Sequence, residues 1–396
     1  YEAYDYNILH ETFNYGIGAQ YMINKGNYIT ADCYADHFSS SYCFFKDNKT
    51  YNGKAGEEQV RKRTRNHNLS IKGIFKLGNR HKLSVGTEYI VDVLKSQTDN
   101  IAKEDAYTLA LFAQDEIKLL RNLQALIGVR YIYHENFKNH ATPNVALMYK
   151  PGKFNFRASY AAGFRTPTLS ELYATDIAKK NDRLTIGNLD LKPEKNNYFS
   201  LSAEYVHERF SVSVNAFYNN IRDMIDYNTI ATGDKAMEQY GHKEVRQRDN
   251  IAEAKVHGIN VSANAYLGAG FNLSGGYTHL NTQDVELEQP IDKSIKNAYN
   301  INAQWAHSWK IYRLNINLNG RFNSKRFSKS YGYAPEYQLW DLNTRHSFNL
   351  KSVIIEPGCG MENLFDYMDD RPYNSNYATL TPGRSFYISL SLKFKS

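Results

Sequence analysis

The chain has 396 residues, enough for one very large domain or two ordinary ones. Its net charge of +7 is mild and spread along the sequence with no basic tail, which argues against a nucleic-acid partner. No run of about 18 apolar residues is present, so no transmembrane helix is expected. A mean hydropathy of −0.60 does not exclude a membrane barrel, whose strands alternate apolar and polar residues and average out.

From the N-terminus, Tyr1-Glu2-Ala3-Tyr4-Asp5 shows no initiator Met, no basic n-region and no apolar h-region. The chain is therefore expected to begin inside a longer protein. Cys33 and Cys43 fall on one extended segment, and with Cys359 they make an odd count without a CxxC pair. Neither a disulfide framework nor a zinc site is expected. Ten residues of strand span about 33 Å, so a local bridge would need that segment to fold back.

Further along, period-two alternation dominates. Phe210, Val212, Val214 and Ala216 alternate with Ser211, Ser213 and Asn215. Ile259, Val261, Ala263, Ala265 and Leu267 do so with polar neighbours, as do Leu314, Ile316 and Leu318. In the last segment Phe386, Ile388, Leu390, Leu392 and Phe394 alternate with Ser385, Tyr387, Ser389, Ser391 and Lys393. This is the pattern of half-buried strands. The apolar set of the last strand is expected to face lipid, and Ser389 and Ser391 the lumen.

Short turns are expected at 25–27, 78–80, 151–153, 207–209, 267–270 and 308–310, and longer polar loops near 46–62, 97–104, 163–194, 229–249, 283–295 and 365–382. Long strands with short turns at one end and long loops at the other are the pattern of an antiparallel transmembrane β-barrel. A soluble sandwich would have strands of about 5–6 residues, and a solenoid or propeller a fixed repeat that is not visible. About 17 strands are expected. Single-chain bacterial barrels close with even numbers, so the odd count implies missing N-terminal strands or an error of one. The 32 Tyr and 20 Phe suit both strands and a membrane interface.

Three motif groups carry a family resemblance. The first is Arg157 through Tyr173, containing Gly163-Phe164-Arg165-Thr166-Pro167 and Glu171-Leu172-Tyr173, followed by Gly187-Asn188 through Pro193-Glu194. The second is Leu111-Phe-Ala-Gln-Asp-Glu116 with Ile127-Gly-Val-Arg-Tyr131. The third is Glu362-Asn363-Leu364-Phe365-Asp366 with Pro382-Gly383-Arg384 before the final strand. In order and spacing the chain resembles the TonB-dependent outer-membrane receptors over nearly its whole length. The resemblance implies a 22-stranded barrel with an N-terminal plug folded inside. Residues 1–396 would be its C-terminal part, with the first strands, the plug and the TonB box upstream. It also implies a multi-pass location in the outer membrane of a Gram-negative cell. The partners would be membrane lipid, the TonB complex and a small-molecule or metal-chelate ligand. One departure is that Lys395 and Ser396 follow Phe394, where the family often ends on an aromatic residue.

The residues bear on roles in different ways. Pro167 fixes its own φ and biases Thr166 away from helix. Arg165 carries a rigid guanidinium fork suited to a carboxylate. It either braces the loop through Glu171 or Glu194 or touches ligand, and bracing carries the greater weight. The signature residues Gly163, Phe164, Pro167, Glu171, Leu172, Asn188, Pro193, Glu194, Asn363, Leu364, Phe365, Pro382, Gly383 and Arg384 are expected to serve the fold. Haem receptors of the family resemble one another in a His between the two halves of the first motif, and residues 168–187 contain none.

The 229–249 segment carries Met237, Tyr240, His242, Lys243, Arg246 and Arg248, and with Lys179, Lys180 and Arg183 it gives a basic, aromatic outer face. Such a face would concentrate an anionic chelate; plain solvation is the alternative reading. The candidate ligand-binding residues are Arg165, Tyr173, Tyr240, His242 and Arg246. No enzyme motif is found, and no catalytic residue, metal site or cofactor is expected. The expected function is active uptake of a scarce nutrient, first a ferric siderophore, with cobalamin or haem uptake, or a passive porin-like barrel, as alternatives.

Overall fold

A computed structural model describes residues 5–178, 182–329, 331–369 and 377–395, with the side chains of 251–252 left aside. Lys179 and Lys180 of the expected basic face lie outside the described residues, as does part of the 365–382 loop. The chain divides into two compact units, one of residues 1–147, 160–197 and 221–253, the other of 148–159, 198–220 and 254–396.

In the first unit, β1 (Tyr6–Asn24), β2 (Asn27–Phe44), β3 (Glu58–Leu77), β4 (His81–Ser96), β5 (Ile101–Leu120) and β6 (Leu123–His134) pair antiparallel in chain order. Their side chains sort into two faces. Cross-strand rows run Ile71–Thr87–Leu111–Tyr131 and Leu69–Tyr89–Leu109–Tyr133 on one face. Apart from the half-buried Thr87 and Tyr133 these residues are exposed, Leu111 at 51% and Leu69 at 48%, which a soluble sheet does not sustain in continuous rows. The opposite face is polar and cross-linked: Asn66 donates to Asp92 and Asn68 to Glu88, each at 2.8 Å, and Arg130 pairs with Glu88.

β7 (Lys138–Tyr149), β8 (Phe154–Arg165), β11 (Glu194–Val206), β12 (Phe210–Thr232) and β13 (Glu244–Gly268) follow. Between β8 and β11 lie a short helix, α1 (Leu169–Tyr173), and two short strands, β9 (Thr175–Ala178) and β10 (Arg183–Ile186). Between β12 and β13 lies α2 (Gly233–Tyr240).

In the second unit, the part of β13 from Ala254 pairs with β14 (Phe271–Asp284), which continues antiparallel through β15 (Asn297–Trp309), β16 (Tyr312–Asn323), β19 (Tyr337–Asn349), β20 (Val353–Glu362) and β21 (Ser385–Phe394). A separate hairpin joins β17 (Arg326–Ser328) to β18 (Gly332–Ala334). On the last pair, Phe386, Ile388, Leu390, Leu392 and Phe394 stand opposite Met361, Cys359, Pro357, Ile355 and Val353. The alternate residues stand opposite Glu362, Gly360, Gly358, Glu356 and Ile354, with Lys393 Nζ 2.6 Å from Glu356. The sheet thus has one apolar and one polar face, as the alternation requires.

Among the described residues, 17 strands have ten or more residues and four are short. The all-β antiparallel class and the long-strand count match expectation, and the six expected turns all join adjacent strands. Two loop expectations fail. The 97–104 loop is only residues 97–100, because β5 already begins at Ile101. The 229–249 loop is largely ordered backbone: β12 runs to Thr232, β13 starts at Glu244, and α2 fills the gap. Polar residues there suggested a loop, but a strand wet on both faces needs no alternation, so the pattern fades although the strands continue. The β17–β18 hairpin was not foreseen. Cys33 and Cys43 lie on the one strand β2, and all three cysteines are free.

Candidate functional site

The 166–193 segment is built around Arg165, the last residue of β8. Its guanidinium donates from Nε to Glu194 Oε2 at 2.8 Å and from Nη2 to Glu194 Oε1 at 2.6 Å. It also donates from Nη1 to Glu171 Oε2 at 2.9 Å and from Nη2 to Oε1 at 3.2 Å. One planar fork thus joins the strand end to a helix and to the start of β11. Thr168 caps α1: its hydroxyl accepts the Glu171 N–H at 3.2 Å, while the Glu171 carboxylate accepts the Thr168 N–H at 2.8 Å. This reciprocal box fixes the first turn of a helix too short to form alone. Pro167, buried just before the cap, sets the entry angle.

Burial by itself would raise the Glu171 carboxyl. The Arg165 guanidinium and the Thr168 backbone N–H outweigh it and hold the group below the usual carboxylate range. Glu194 Oε1 also accepts the Ile225 N–H at 2.8 Å, tying the lock to β12.

Beneath the lock sit two apolar clusters, Leu94, Ile101, Ala106, Leu169 and Ala174 in one, and Leu172, Leu191 and Ile225 in the other. Tyr173 packs against both, so its ring is part of the loop's packing. Gly187 lies against the α1 backbone, where a Cβ would stand 2.5 Å from the Leu172 carbonyl oxygen. Asn188 accepts the Asp190 N–H at 2.9 Å, and its own N–H bonds to the Glu171 carbonyl at 3.0 Å. Pro193 is buried beside the lock. Phe164 stacks on His140 with centroids 4.5 Å apart, and a Cβ at Gly163 would collide with the Asn196 amide.

The second part joins β9–β10 to the start of β13. β10 runs parallel to β13, with Arg183 to Ile186 opposite Glu244 to Gln247. The 163–194 and 229–249 segments therefore meet. Ala231, Ala236 and Val245 form a small core, and Tyr240 packs on it with Leu184, Ile186 and Ile230. His242 Nδ1 is 2.9 Å from Asp182 Oδ1, and the Lys243 N–H donates to the Asp182 carbonyl at 3.0 Å. The His242 ring draws the half-buried Asp182 carboxyl below its ordinary value. Arg246 pairs with Glu244 on the same strand.

Of the five candidate ligand residues, this geometry engages Arg165, Tyr173 and Tyr240 in packing or bridging. His242 and Arg246 each hold one carboxylate at the edge of the β10–β13 pair.

Sequence reading missed two features. Arg248 lies 3.5 Å above the Tyr227 ring centroid, and its Nη2 donates to the Tyr227 hydroxyl at 2.6 Å. Asn250 accepts the Lys192 N–H at 2.7 Å and donates to the carbonyls of Lys192 and Asp223 at 2.9 and 2.6 Å. An Asn or Asp inside a long strand is a depleted choice, so Asp223 and Asn250 were the readable signal, and Asp223 proves to stand at φ 56°.

The third motif is a separate closure in the second unit. Asn363 is buried at φ 51°; its amide donates to the Tyr367 carbonyl at 2.7 Å and accepts the Tyr367 N–H at 2.9 Å. Leu364 N–H bonds to the Trp340 carbonyl, and the exposed Phe365 ring meets Trp340 edge-on. Asp366 accepts the Arg384 N–H at 2.8 Å, while Gly383 at φ 90° turns the chain after Pro382. These groups satisfy backbone where β20 ends and β21 begins.

Comparison with known proteins places this geometry. The fold is similar to a variant of the ferric enterobactin receptor PfeA from Pseudomonas aeruginosa, with TM-score 0.79 and 18% identity. It is similar also to the siderophore receptor PirA from Acinetobacter baumannii, with TM-score 0.76 and 16% identity. The ferric preacinetobactin receptor BauA from the same species gives TM-score 0.68 and 15% identity. Each alignment covers 98% of this chain but only 62%, 62% and 63% of the respective receptor, so the chain spans about three-fifths of their length. Residues 2–364 match the family described as TonB dependent receptor-like, beta-barrel, and the chain belongs to that family.

Proposed function

We propose that the chain is the C-terminal barrel portion of an outer-membrane receptor that imports a ferric siderophore under TonB drive. It is a transport receptor rather than an enzyme. The family match over residues 2–364 supports the transport role. The ligand class is supported by the siderophore receptors the fold resembles and by the basic and aromatic residues Tyr227, His242, Arg246 and Arg248, of which His242 and Arg246 are paired with Asp182 and Glu244 while the Arg248 guanidinium lies over the Tyr227 ring. Such a surface concentrates an anionic chelate. The chain's share of its neighbours' length supports a plug and TonB-contacting segment elsewhere in the whole protein. In this reading Arg165, Glu171 and Glu194 brace the outer segment, and His242, Arg246 and Arg248 stand nearer the ligand.

The test is growth of a siderophore-receptor-deleted Gram-negative strain carrying the full receptor, supplied with ferric siderophores, haem or cobalamin as defined sources. Growth on a ferric siderophore that disappears on deleting TonB is expected. Growth restored only by cobalamin or haem would change the ligand, and TonB-independent entry would replace the receptor with a porin.

A further inference from the structure

The open end of the β1–β2 hairpin brings three phenols together. Tyr6 opens β1, Tyr42 lies near the end of β2, and Tyr51 stands in the connection to β3. All three are half-buried. The Tyr6 and Tyr42 rings stack with centroids 4.3 Å apart, and the Tyr51 ring meets them edge-on at 5.6 and 5.1 Å. Their hydroxyls bond to one another, Tyr6 to both others and Tyr42 to Tyr51.

The backbone around the trio fixes its geometry. Tyr6 stands opposite Phe44 in the ladder, and Phe44 is 3% exposed. The Phe45 N–H bonds to the Asp5 carbonyl at 3.0 Å. Asn48 and Gly53 close a small turn through two backbone bonds of 2.8 and 3.0 Å, and the Asn48 side chain accepts the Tyr51 N–H at 3.0 Å. Arg61 covers the trio from β3, its guanidinium carbon 5.2 Å from the Tyr42 centroid and 5.5 Å from that of Tyr51. Its Nη1 donates to Gln97 Oε1 at 3.2 Å, while its Nε is buried without a hydrogen-bond partner. A buried donor left unpaired is costly, so the site calls for an acceptor there.

A ring of three hydroxyls uses one donor and one lone pair on each oxygen and leaves a second lone pair on each. A small hard cation at about 2.0–2.1 Å in octahedral geometry sets neighbouring oxygens about 2.9 Å apart. That is hydrogen-bond spacing, so the trio matches one face of an octahedron. A phenol ordinarily ionises near pH 10, so at neutral pH only a strongly Lewis-acidic ion displaces its proton. Phenolate is an established iron ligand. Three phenolates neutralise a trivalent ion, which leaves Arg61 facing no net positive charge.

We propose that Tyr6, Tyr42 and Tyr51 bind ferric ion through their phenolate oxygens, with a small anionic chelator held by Arg61 filling the remaining positions. Three phenol protons pass to solvent as three iron–oxygen bonds form, and the iron stays trivalent. The site stands apart from the uptake reading: it holds or fails whether or not the receptor imports a ferric siderophore.

The test titrates the full receptor, purified in detergent and freed of iron, with ferric nitrilotriacetate, and reads the phenolate-to-iron charge-transfer absorption in the visible. A band saturating at one iron per receptor is expected, displaced by gallium(III) nitrilotriacetate and unaffected by Mg²⁺ or Ca²⁺. The triple variant Tyr6→Phe, Tyr42→Phe, Tyr51→Phe keeps the rings and should lose the band. Arg61→Gln should keep the band but bind the ferric chelate about 10–100-fold more weakly, the usual effect of removing a group that supports a metal's ligands. Tyr333→Phe, on the separate β17–β18 hairpin, should bind normally. Absence of the band in the unaltered receptor would overturn the proposal, as would its retention in the triple variant. Equal binding of iron-free nitrilotriacetate would also overturn it and make the trio an anion site. Should the triple variant not fold, as read from heat-modifiable electrophoretic mobility, Tyr51→Phe alone should weaken binding and shift the band, and an unchanged band would again overturn the site.

Discussion

The strand ladder β3–β6 and the segment 166–193 solve opposite problems with the same chain. In the ladder, apolar side chains such as Leu69 and Leu111 remain exposed while polar ones such as Asn68 and Glu88 pair with each other. Its backbone bonds are satisfied strand to strand, and in the proposed membrane placement its apolar rows would have a solvent of their own in lipid. The outer segment behaves like a small soluble protein: Leu172 and Leu191 are buried at 5% and 3%, and charges lie around them. An apolar side chain is therefore held by packing in one region and by solvent in the other.

Trimming an apolar residue should separate the two most sharply. Leu172→Ala removes a buried anchor and should cost about 2–5 kcal/mol of the outer segment's local stability. Leu390→Ala on the exposed row of β21 creates no protein cavity and should cost far less. Limited proteolysis between residues 166 and 193, alongside urea unfolding of the whole receptor, would compare them; equal sensitivity would collapse the distinction. Charge inverts the ranking for the ladder. Leu390→Arg should cost about 2–4 kcal/mol if the residue sits near the bilayer midplane, and should reduce assembly into the membrane. Normal assembly of that variant would mean the apolar face of β21 does not meet lipid.

That contrast also explains what the sequence disclosed. Alternation on β21 or β16 is enforced residue by residue by two unlike environments, so strand type and turns such as 25–27 were legible. Outside that constraint the signal weakened. Residues 229–249 read as loop from their polarity, although they continue β12 and β13 and enclose Ala236 and Val245 at 0% exposure. The Arg165 lock was half legible: both carboxylate partners were named from the motif, but their simultaneous engagement, 29 residues apart in the case of Glu194, is a tertiary fact. The parallel pairing of β10 with β13 could not be read at all, since Arg183 and Glu244 are brought together only by the fold.

The lock should come next in size. Arg165→Ala leaves Glu171 and Glu194, both largely buried, facing each other without their cation. Arg165 is itself 42% exposed, which screens the effect, so about 2 kcal/mol is expected rather than the full penalty of a buried pair. Arg165→Lys should recover only part of it, because an ammonium cannot make the forked contacts. Full recovery by Lys, read from the same proteolysis, would reduce the lock to simple charge. Thr168→Ala removes one side of the capping box and should cost about 1 kcal/mol.

The smallest effect expected is with pH, and it distinguishes the regions without mutation. Glu171 is held below the usual carboxylate range by Arg165 and Thr168 against the opposing effect of burial. A carboxylate whose pKa is depressed on folding contributes stability that is present above its unfolded pKa and lost as pH falls through the folded one. Its contribution should therefore be fully present at neutral pH, begin to fade near pH 4 to 5, and vanish only below the ordinary carboxylate range. Asp182, lowered by the His242 ring, shifts in the same direction at the β10–β13 edge. Cleavage of the 166–193 segment by an acid-tolerant protease, normalised to a peptide substrate, should rise as pH is lowered from 7 to 3 while the spanning strands stay protected. Glu171→Gln should flatten much of that rise by removing the titrating group. A profile flat down to pH 3 would show that the lock does not govern the segment.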